Sequence, residues 1–171
     1  MAIVFLGLGS NLGDRVGFVQ QATSLLTNEE NIKLVSTSSF YETEPWNFKT
    51  ENWFVNAVIC ISTSLYPYQL LKVCNRIESQ LGRNREDESG YNDRTIDIDI
   101  LFYDDKVIDE NENGVKLTIP HPRIHQRAFM LVPMLEIAPS FVHPVLKKSI
   151  SDIYDDIDDP ETVCLYGTRF I

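Results

Sequence analysis

Three features predict an α+β fold with helices packed against one face of an antiparallel sheet. They are a continuous apolar run at Ala2 to Leu8, a strict two-residue alternation at Arg94 to Tyr103, and two intervening segments with apolar residues at helical spacing. At 171 residues, with 43% hydrophobic and 23% charged content, the chain is expected to fold as a single domain over 1–171 with a substantial core. The net charge of −10 argues against a broad nucleic-acid or anionic-membrane surface, so a polyanion can bind only where the few cations are gathered. Three widely spaced cysteines, an odd number without a Cys-x-x-Cys pair, read as reduced thiols of a cytoplasmic protein.

Ala2 to Leu8 is read as a buried strand. It lacks a basic flank and a cleavage site, and is too short to span a bilayer. Gly9-Ser10-Asn11-Leu12-Gly13 reads as the turn that closes it, and Asp14 as the N-cap of a helix to about Thr27 with Val16, Val19, Ala22 and Leu26 on one face. Ile32 to Thr43 reads as a second strand, Glu44 to Glu51 as a loop with two aromatics, and Trp53 to Thr63 as a third strand. Pro67 opens a helix whose stripe is Leu70, Cys74, Ile77 and Leu81, and Gly82 ends it. A polar loop, Arg83 to Asp93, leads to the alternating strand. The order β-α-β-β-α-β is the split βαβ of a ferredoxin-like fold, one sheet face carrying helices and the other left for a site. Val107-Ile108 and Val115 to Ile119 suggest an extra hairpin, Arg127 to Ile137 a third helix and Ser149 to Asp156 a short fourth. Six acids in the ten residues from Asp152 to Glu161 read as a solvated, mobile face without chemistry.

The alternating strand carries the chemistry. Ile96, Ile98 and Ile100 point one way, and Asp97 and Asp99 the other, about 6.5–7 Å apart at roughly 3.3 Å rise per residue. Two close carboxylates repel, and burying them unpaired costs several kcal/mol; a divalent cation relieves both penalties. All-oxygen ligation with room for water and substrate oxygens suits Mg²⁺ beside a phosphorylated substrate. A half-exposed strand with a solvated acidic face accounts for the same pattern. Arg83, Arg85 and Arg94 crowd this strand as arginine forks suited to polyphosphate, although pairing with Glu86, Asp87, Glu88 and Asp93 accounts for them equally.

Gly7-x-Gly9-x-x-x-Gly13 misses G-x-G-x-x-G by one place, and no Gly-Lys-Ser/Thr occurs, so a tight turn is favoured over a phosphate cradle. His121 and His125 lack a glutamate-based zinc pattern, and His121 reads as an imidazole facing phosphate; His143 reads as structural. Phe54, Asn56, Val58 and Cys60 share one strand face, where Asn56 is either a core amide or a selector for a flat heterocycle.

Taken together, the chain resembles the hydroxymethyldihydropterin pyrophosphokinases of folate biosynthesis. The resemblance rests on Gly9-Ser10-Asn11-Leu12-Gly13, Ser39-Phe40-Tyr41-Glu42-Thr43, Phe54-Val55-Asn56-Ala57, Arg76-Ile77-Glu78 with Gly82-Arg83, Arg94-Thr95-Ile96-Asp97-Ile98-Asp99-Ile100, and Pro120-His121-Pro122 through Arg127-Ala128-Phe129-Met130-Leu131. It implies transfer of pyrophosphate from ATP to the pterin hydroxymethyl oxygen with release of AMP. It further implies two Mg²⁺ ions on Asp97 and Asp99, and Arg83, Arg94, His121 and Arg127 facing the phosphates. Asn75, Glu78, Arg85, Ile100, Lys116 and Thr118 would hold the nucleotide. Thr43, Trp46, Phe54, Asn56 and Phe129 would form the pterin pocket, the ring stacked between Phe54 and Phe129. The loop before Arg94 departs from the Trp-Gly-Pro of many relatives, and Tyr91 stands where it would cap the site as part of a mobile lid. A cytoplasmic monomer acting on ATP and hydroxymethyldihydropterin, with no nucleic-acid or membrane partner, is the resulting expectation. The competing functions are a non-catalytic ferredoxin-like binding module and a metal-dependent nucleotidyl transferase.

Overall fold

A computed structural model describes residues 1–45, 50–83 and 93–168. Strand β1 (Ala2–Ser10) is buried from Val4 onward, and helix α1 (Arg15–Thr27) starts where the Asp14 carboxylate accepts the Gly17 N–H at 3.0 Å. After β2 (Ile32–Thr37), β3 (Phe40–Thr43) and β4 (Phe54–Thr63) comes α2 (Pro67–Gln80), with proline in its first turn and Gly82 just past its end at φ +91°. Strand β5 (Asp97–Tyr103) follows, then the hairpin β6 (Ile108–Glu112) and β7 (Val115–Ile119), α3 (Ala128–Ile137), α4 (Ile150–Asp155) and β8 (Val163–Gly167).

The main sheet runs β5-β1-β4-β3-β8, with β2 also paired to β4; β6 and β7 form a separate ribbon. All strand pairings among the described residues are antiparallel. If β2 and β3 are counted as one broken strand, the order fourth-first-third-second is that of the ferredoxin-like split βαβ. The break in the expected Ile32–Thr43 strand falls at Ser38 and Ser39. Ser38 binds Val58 twice, through its own N–H to the carbonyl at 2.8 Å and through its hydroxyl from the Val58 N–H at 2.9 Å. The side-chain oxygen replaces one rung of the ladder and displaces the chain.

Each sheet face has its own apolar cluster. Leu6, Leu8, Ala57, Ile59, Ile98 and Ile100 meet the stripes of α1 and α2, while Phe5, Val58, Cys60, Leu101 and Phe102 meet Met130, Leu131 and Met134 of α3 and Ile150 and Ile153 of α4. The second face is therefore not left open, as expected from sequence; α3 and α4 cover one part of it, and the site occupies the remainder. Strand β1 also runs on through Gly9 and Ser10, so Gly7 and Gly9 are strand residues and, of the three glycines in this motif, Gly13 alone adopts a left-handed conformation, at φ +66°. Their role is steric. A Cβ on Gly7 would lie 2.5 Å from Met130 Sδ, and one on Gly9 2.5 Å from Asn56 Oδ1. The acidic stretch 152–161 is not simply a solvated face either: Ile153 is core, Asp156 accepts from Lys148 Nζ at 2.6 Å, and Glu161 accepts from the Phe129 N–H at 2.9 Å.

Candidate active site

The period of two on β5 places Asp97 and Asp99 on the sheet face away from α1 and α2, opposite Gly9 and Gly7 of β1 in the register. The glycines leave space above β1, so ligand atoms can approach the carboxylates across it. Arg83 Nη1 donates to Asp97 Oδ1 at 2.6 Å and to Glu78 Oε2 at 2.8 Å, and Arg94 Nη1 approaches Asp97 Oδ2 at 3.3 Å. Glu78 is 1% exposed and its second oxygen accepts the Ile98 N–H at 3.1 Å. Any hold Glu78 has on a nucleotide therefore runs through Arg83, which it fixes between α2 and β5.

Asp99 is less well matched: Arg127 Nη1 lies 3.7 Å from its Oδ2. Burial, and next the charge of Asp97, push its carboxyl up to about 7, with Arg127 opposing. His121 shifts the other way, down to about 4, through burial and then the charge of Arg127. Its Nδ1 accepts the Arg123 N–H at 3.1 Å, which assigns the proton of the neutral ring to Nε2, 3.4 Å from Arg127 Nη1.

On one side of the carboxylates is a pocket of about 480 Å³ lined by Thr43, Glu44, Phe54, Asn56, Arg94, Asp97, Arg127, Phe129 and Met130, with Gly9 in its floor. Asn56 is 2% exposed and donates from Nδ2 to Thr43 Oγ1 at 2.7 Å, so its amide orientation is fixed and Oδ1 is left as acceptor beside Gly9. Each aromatic wall lies near an arginine: Arg94 is 5.6 Å from the Phe54 ring centroid and Arg127 5.5 Å from that of Phe129. On the other side is an open cleft of about 1420 Å³, lined among others by Leu71, Asn75, Asp99, Ile100, Lys116, Thr118 and His121. Asn75 Oδ1 is buried there with no hydrogen-bond donor among the described residues.

The structure thus brings Thr43, Phe54, Asn56 and Phe129 into one pocket, and Asn75, Ile100, Lys116, Thr118 and His121 into one cleft, with Asp97, Asp99, Arg83, Arg94 and Arg127 between them. Trp46, Arg85 and Tyr91, with Glu86, Asp87 and Glu88 of the expected lid, lie outside the described residues. Asp93, the last residue of the loop expected to form a mobile lid, is itself held in place. Asn11 Nδ2 and Asn52 Nδ2 both donate to it at 2.7 Å, and Thr50 Oγ1 at 3.1 Å. Asn11 also accepts the Arg94 N–H at 2.6 Å, so the Gly-Ser-Asn-Leu-Gly segment sets the height of Arg94. Sequence reading missed Glu44, Gly9 and Met130 as pocket lining; Asn11 was legible only as part of a motif.

The arrangement is that of an enzyme for small molecules, an aromatic-walled pocket and an open cleft meeting at two carboxylates and three arginines. The family model for 7,8-dihydro-6-hydroxymethylpterin-pyrophosphokinase matches residues 5–139. A 2-amino-4-hydroxy-6-hydroxymethyldihydropteridine pyrophosphokinase from Aquifex aeolicus is 39% identical over 152 residues, covering 89% of this chain and 90% of that protein. The folic acid synthesis protein fol1 of Pneumocystis carinii is 42% identical over 156 residues, and there the match takes 91% of this chain but 20% of the relative's length. Among solved structures, Plasmodium falciparum HPPK-DHPS with pteroate matches with a TM-score of 0.70 at 17% identity, over 90% of this chain and 44% of that one, a likeness of fold. The chain belongs to the 7,8-dihydro-6-hydroxymethylpterin-pyrophosphokinase family.

Proposed function

We propose that this protein transfers the terminal diphosphate of ATP to the hydroxymethyl oxygen of 6-hydroxymethyl-7,8-dihydropterin, releasing AMP, as a step of folate biosynthesis. The observation that carries this reading is the position of the carboxylate pair, backed by three arginines, between an aromatic-walled pocket and a cleft with an unmatched amide acceptor. The pterin ring enters between Phe54 and Phe129, where Asn56, oriented by Thr43, meets its polar edge. The nucleotide lies in the cleft, where Asn75 Oδ1 offers an acceptor and Lys116 and Thr118 line the outer wall. Its phosphates then reach Arg83, Arg94 and Arg127, the cations that already face Asp97 and Asp99.

The two aspartates fit Mg²⁺ as a donor set. Both are oxygen ligands on one strand face, and the burial and repulsion from Asp97 that raise Asp99 are both offset by a divalent cation. Asp97 and Asp99 would hold two ions with ATP; bound there, Mg²⁺ would neutralise phosphate charge. Among the described residues no group of three or more His, Cys, Asp or Glu side chains is poised for a metal, so water and phosphate would complete the shells. The protein's own part is positioning and charge: buried guanidiniums held by Glu78 and Asp97, a neutral His121, and an aromatic-walled ring pocket that aims the hydroxymethyl group at the phosphates. We propose further that it acts as a monomer in the cytoplasm, a compartment with which its three free thiols are compatible. No described helix is long and apolar enough to cross a membrane.

Incubation with MgATP and hydroxymethyldihydropterin tests the reading. AMP and the pterin diphosphate are the expected products, abolished by chelation of Mg²⁺. ADP as product would reject diphosphoryl transfer, and binding without turnover would favour a non-catalytic module.

A further inference from the structure

Three consecutive residues near the end of the described chain, beyond the family match at 5–139, touch both walls of the ring pocket. Glu161 Oε1 accepts the Phe129 N–H at 2.9 Å, the Thr162 N–H donates to Glu44 Oε1 at 3.2 Å, and Val163 pairs with Thr43 as β8 joins the edge of β3. Phe129 is the second residue of α3, so its N–H has no acceptor within the helix, and Arg127 at the N-cap makes no side-chain capping bond. The carboxylate of Glu161 supplies the missing cap from a different part of the chain, at the end of the helix dipole that favours negative charge.

The consequence is geometric. Thr43 and Glu44 form one side of the pocket and Phe129 the other. The elements that carry them are joined at the far end of α3, where Glu136 accepts from Tyr41 Oη at 2.5 Å and from Ser39 Oγ at 2.7 Å; at the pocket itself residues 161–163 make the hydrogen-bonded link. We infer that Glu161 is a positioning residue for the pterin: by tying the first turn of α3 to the end of β3, it sets the gap into which the flat ring slides. The inference rests on the pterin reading of this pocket. Because the bond is from a backbone N–H to a carboxylate oxygen, a glutamine retains the acceptor and an alanine does not.

The test compares Glu161→Ala, Glu161→Gln and Ser149→Ala in the full chain. Ser149 caps α4 by accepting the Asp152 N–H at 3.1 Å, outside the pocket, and so serves as a cap-loss control. Titration calorimetry with MgATP alone, and with hydroxymethyldihydropterin plus a non-hydrolysable ATP analogue, gives the two affinities; turnover gives kcat and KM. Glu161→Ala is expected to raise the pterin Kd and KM roughly three- to thirtyfold, the range of one helix cap, while the MgATP Kd and kcat hold. Glu161→Gln should restore most of the pterin affinity, and Ser149→Ala should lower Tm without moving it. Equal weakening of both ligands, unchanged pterin affinity in Glu161→Ala, or glutamine no better than alanine would each overturn the inference while leaving the pocket assignment standing. Failure of the unmodified protein to bind the pterin would overturn both.

Discussion

Arg83 Nη1 lies 2.6 Å from Asp97 Oδ1 and 3.7 Å separates Arg127 Nη1 from Asp99 Oδ2, but it is the first pair that defines the resting site. Arg83 matches Asp97 with a direct charged hydrogen bond, and Glu78 holds the guanidinium from behind. Asp99 has no comparably short charged partner among the described residues, so the two carboxylates, alike in sequence, differ in kind.

The first prediction follows from that difference. Substituting either aspartate should cut turnover about a thousandfold or more through loss of metal and phosphate alignment. Their effects on folding should diverge. Asp99→Ala removes a burdened carboxylate and should hold or raise Tm, whereas Asp97→Ala removes one of the carboxylates bound to buried Arg83 and should cost about 1–3 kcal/mol. Thermal melts of both variants without Mg²⁺ check this; equal shifts would show that the two positions are equivalent.

Asp99 also predicts a pH dependence. Its folded value of about 7 lies above the ordinary 3.8, so between those values the folded protein keeps a proton that the unfolded chain has released. Stability from this group is complete below about pH 4 and is lost as pH rises through 7. The difference in Tm between the unmodified protein and Asp99→Asn should therefore grow over that window. Mg²⁺, which needs the ionised carboxylate, should bind more tightly as pH rises past 7, and calorimetry at pH 6 and 8 would register it.

Phe129→Ala should weaken pterin binding by the stacking contribution, about 0.5–1.5 kcal/mol beyond lost area. Because the Arg127 guanidinium sits 5.5 Å from that ring, MgATP affinity should also fall, but less. Equal losses in paired titrations would mean the ring packs the core and does not select a ligand.

Gly9→Ala tests the strand reading of the glycines. The added methyl would meet Asn56 Oδ1 at 2.5 Å and must displace an amide held by Thr43. An overpacking cost of roughly 1–3 kcal/mol in stability is expected, with pterin affinity falling more than MgATP affinity. Normal pterin binding in this variant would show that Asn56 does not face the ligand.

Much of this was legible in the residues because the pattern was local. The alternation from Ile96 to Ile100 sets both the strand and the shared face of Asp97 and Asp99, and Leu70, Cys74 and Ile77 mark the buried side of α2 at helical spacing. What escaped was non-local. Gly7 and Gly9 carry no side-chain periodicity, and what excludes a larger residue there is Met130 and Asn56, far away in sequence. The stretch ending at Glu161 reads as solvent-facing because its acids have no local partner; Glu161 finds one 32 residues back, at Phe129. Strand β8 is an edge strand with Leu165 and Tyr166 exposed, so it shows no inside–outside alternation to read.

The β6–β7 ribbon stands outside the main sheet, joined to neither edge by a ladder. It supplies Lys116 and Thr118, the outer wall of the cleft proposed for the nucleotide, whereas the aromatic-walled pocket is bounded by sheet strands and the core helix α3. Leu117 and Ile119 anchor β7 in the core on the α1–α2 side, but the turn end that carries Lys116 is exposed, and a two-stranded ribbon deforms more readily there than a sheet packed on both faces. The enzyme should accordingly be a lenient reader of one substrate and a strict reader of the other: bulky changes to the purine should be accommodated by a yielding wall, while a single methyl on the pterin meets surfaces that cannot step back. Inhibitors that draw their selectivity from the pterin side would have the sharper discrimination, and those that draw affinity from the purine side the wider choice of shapes.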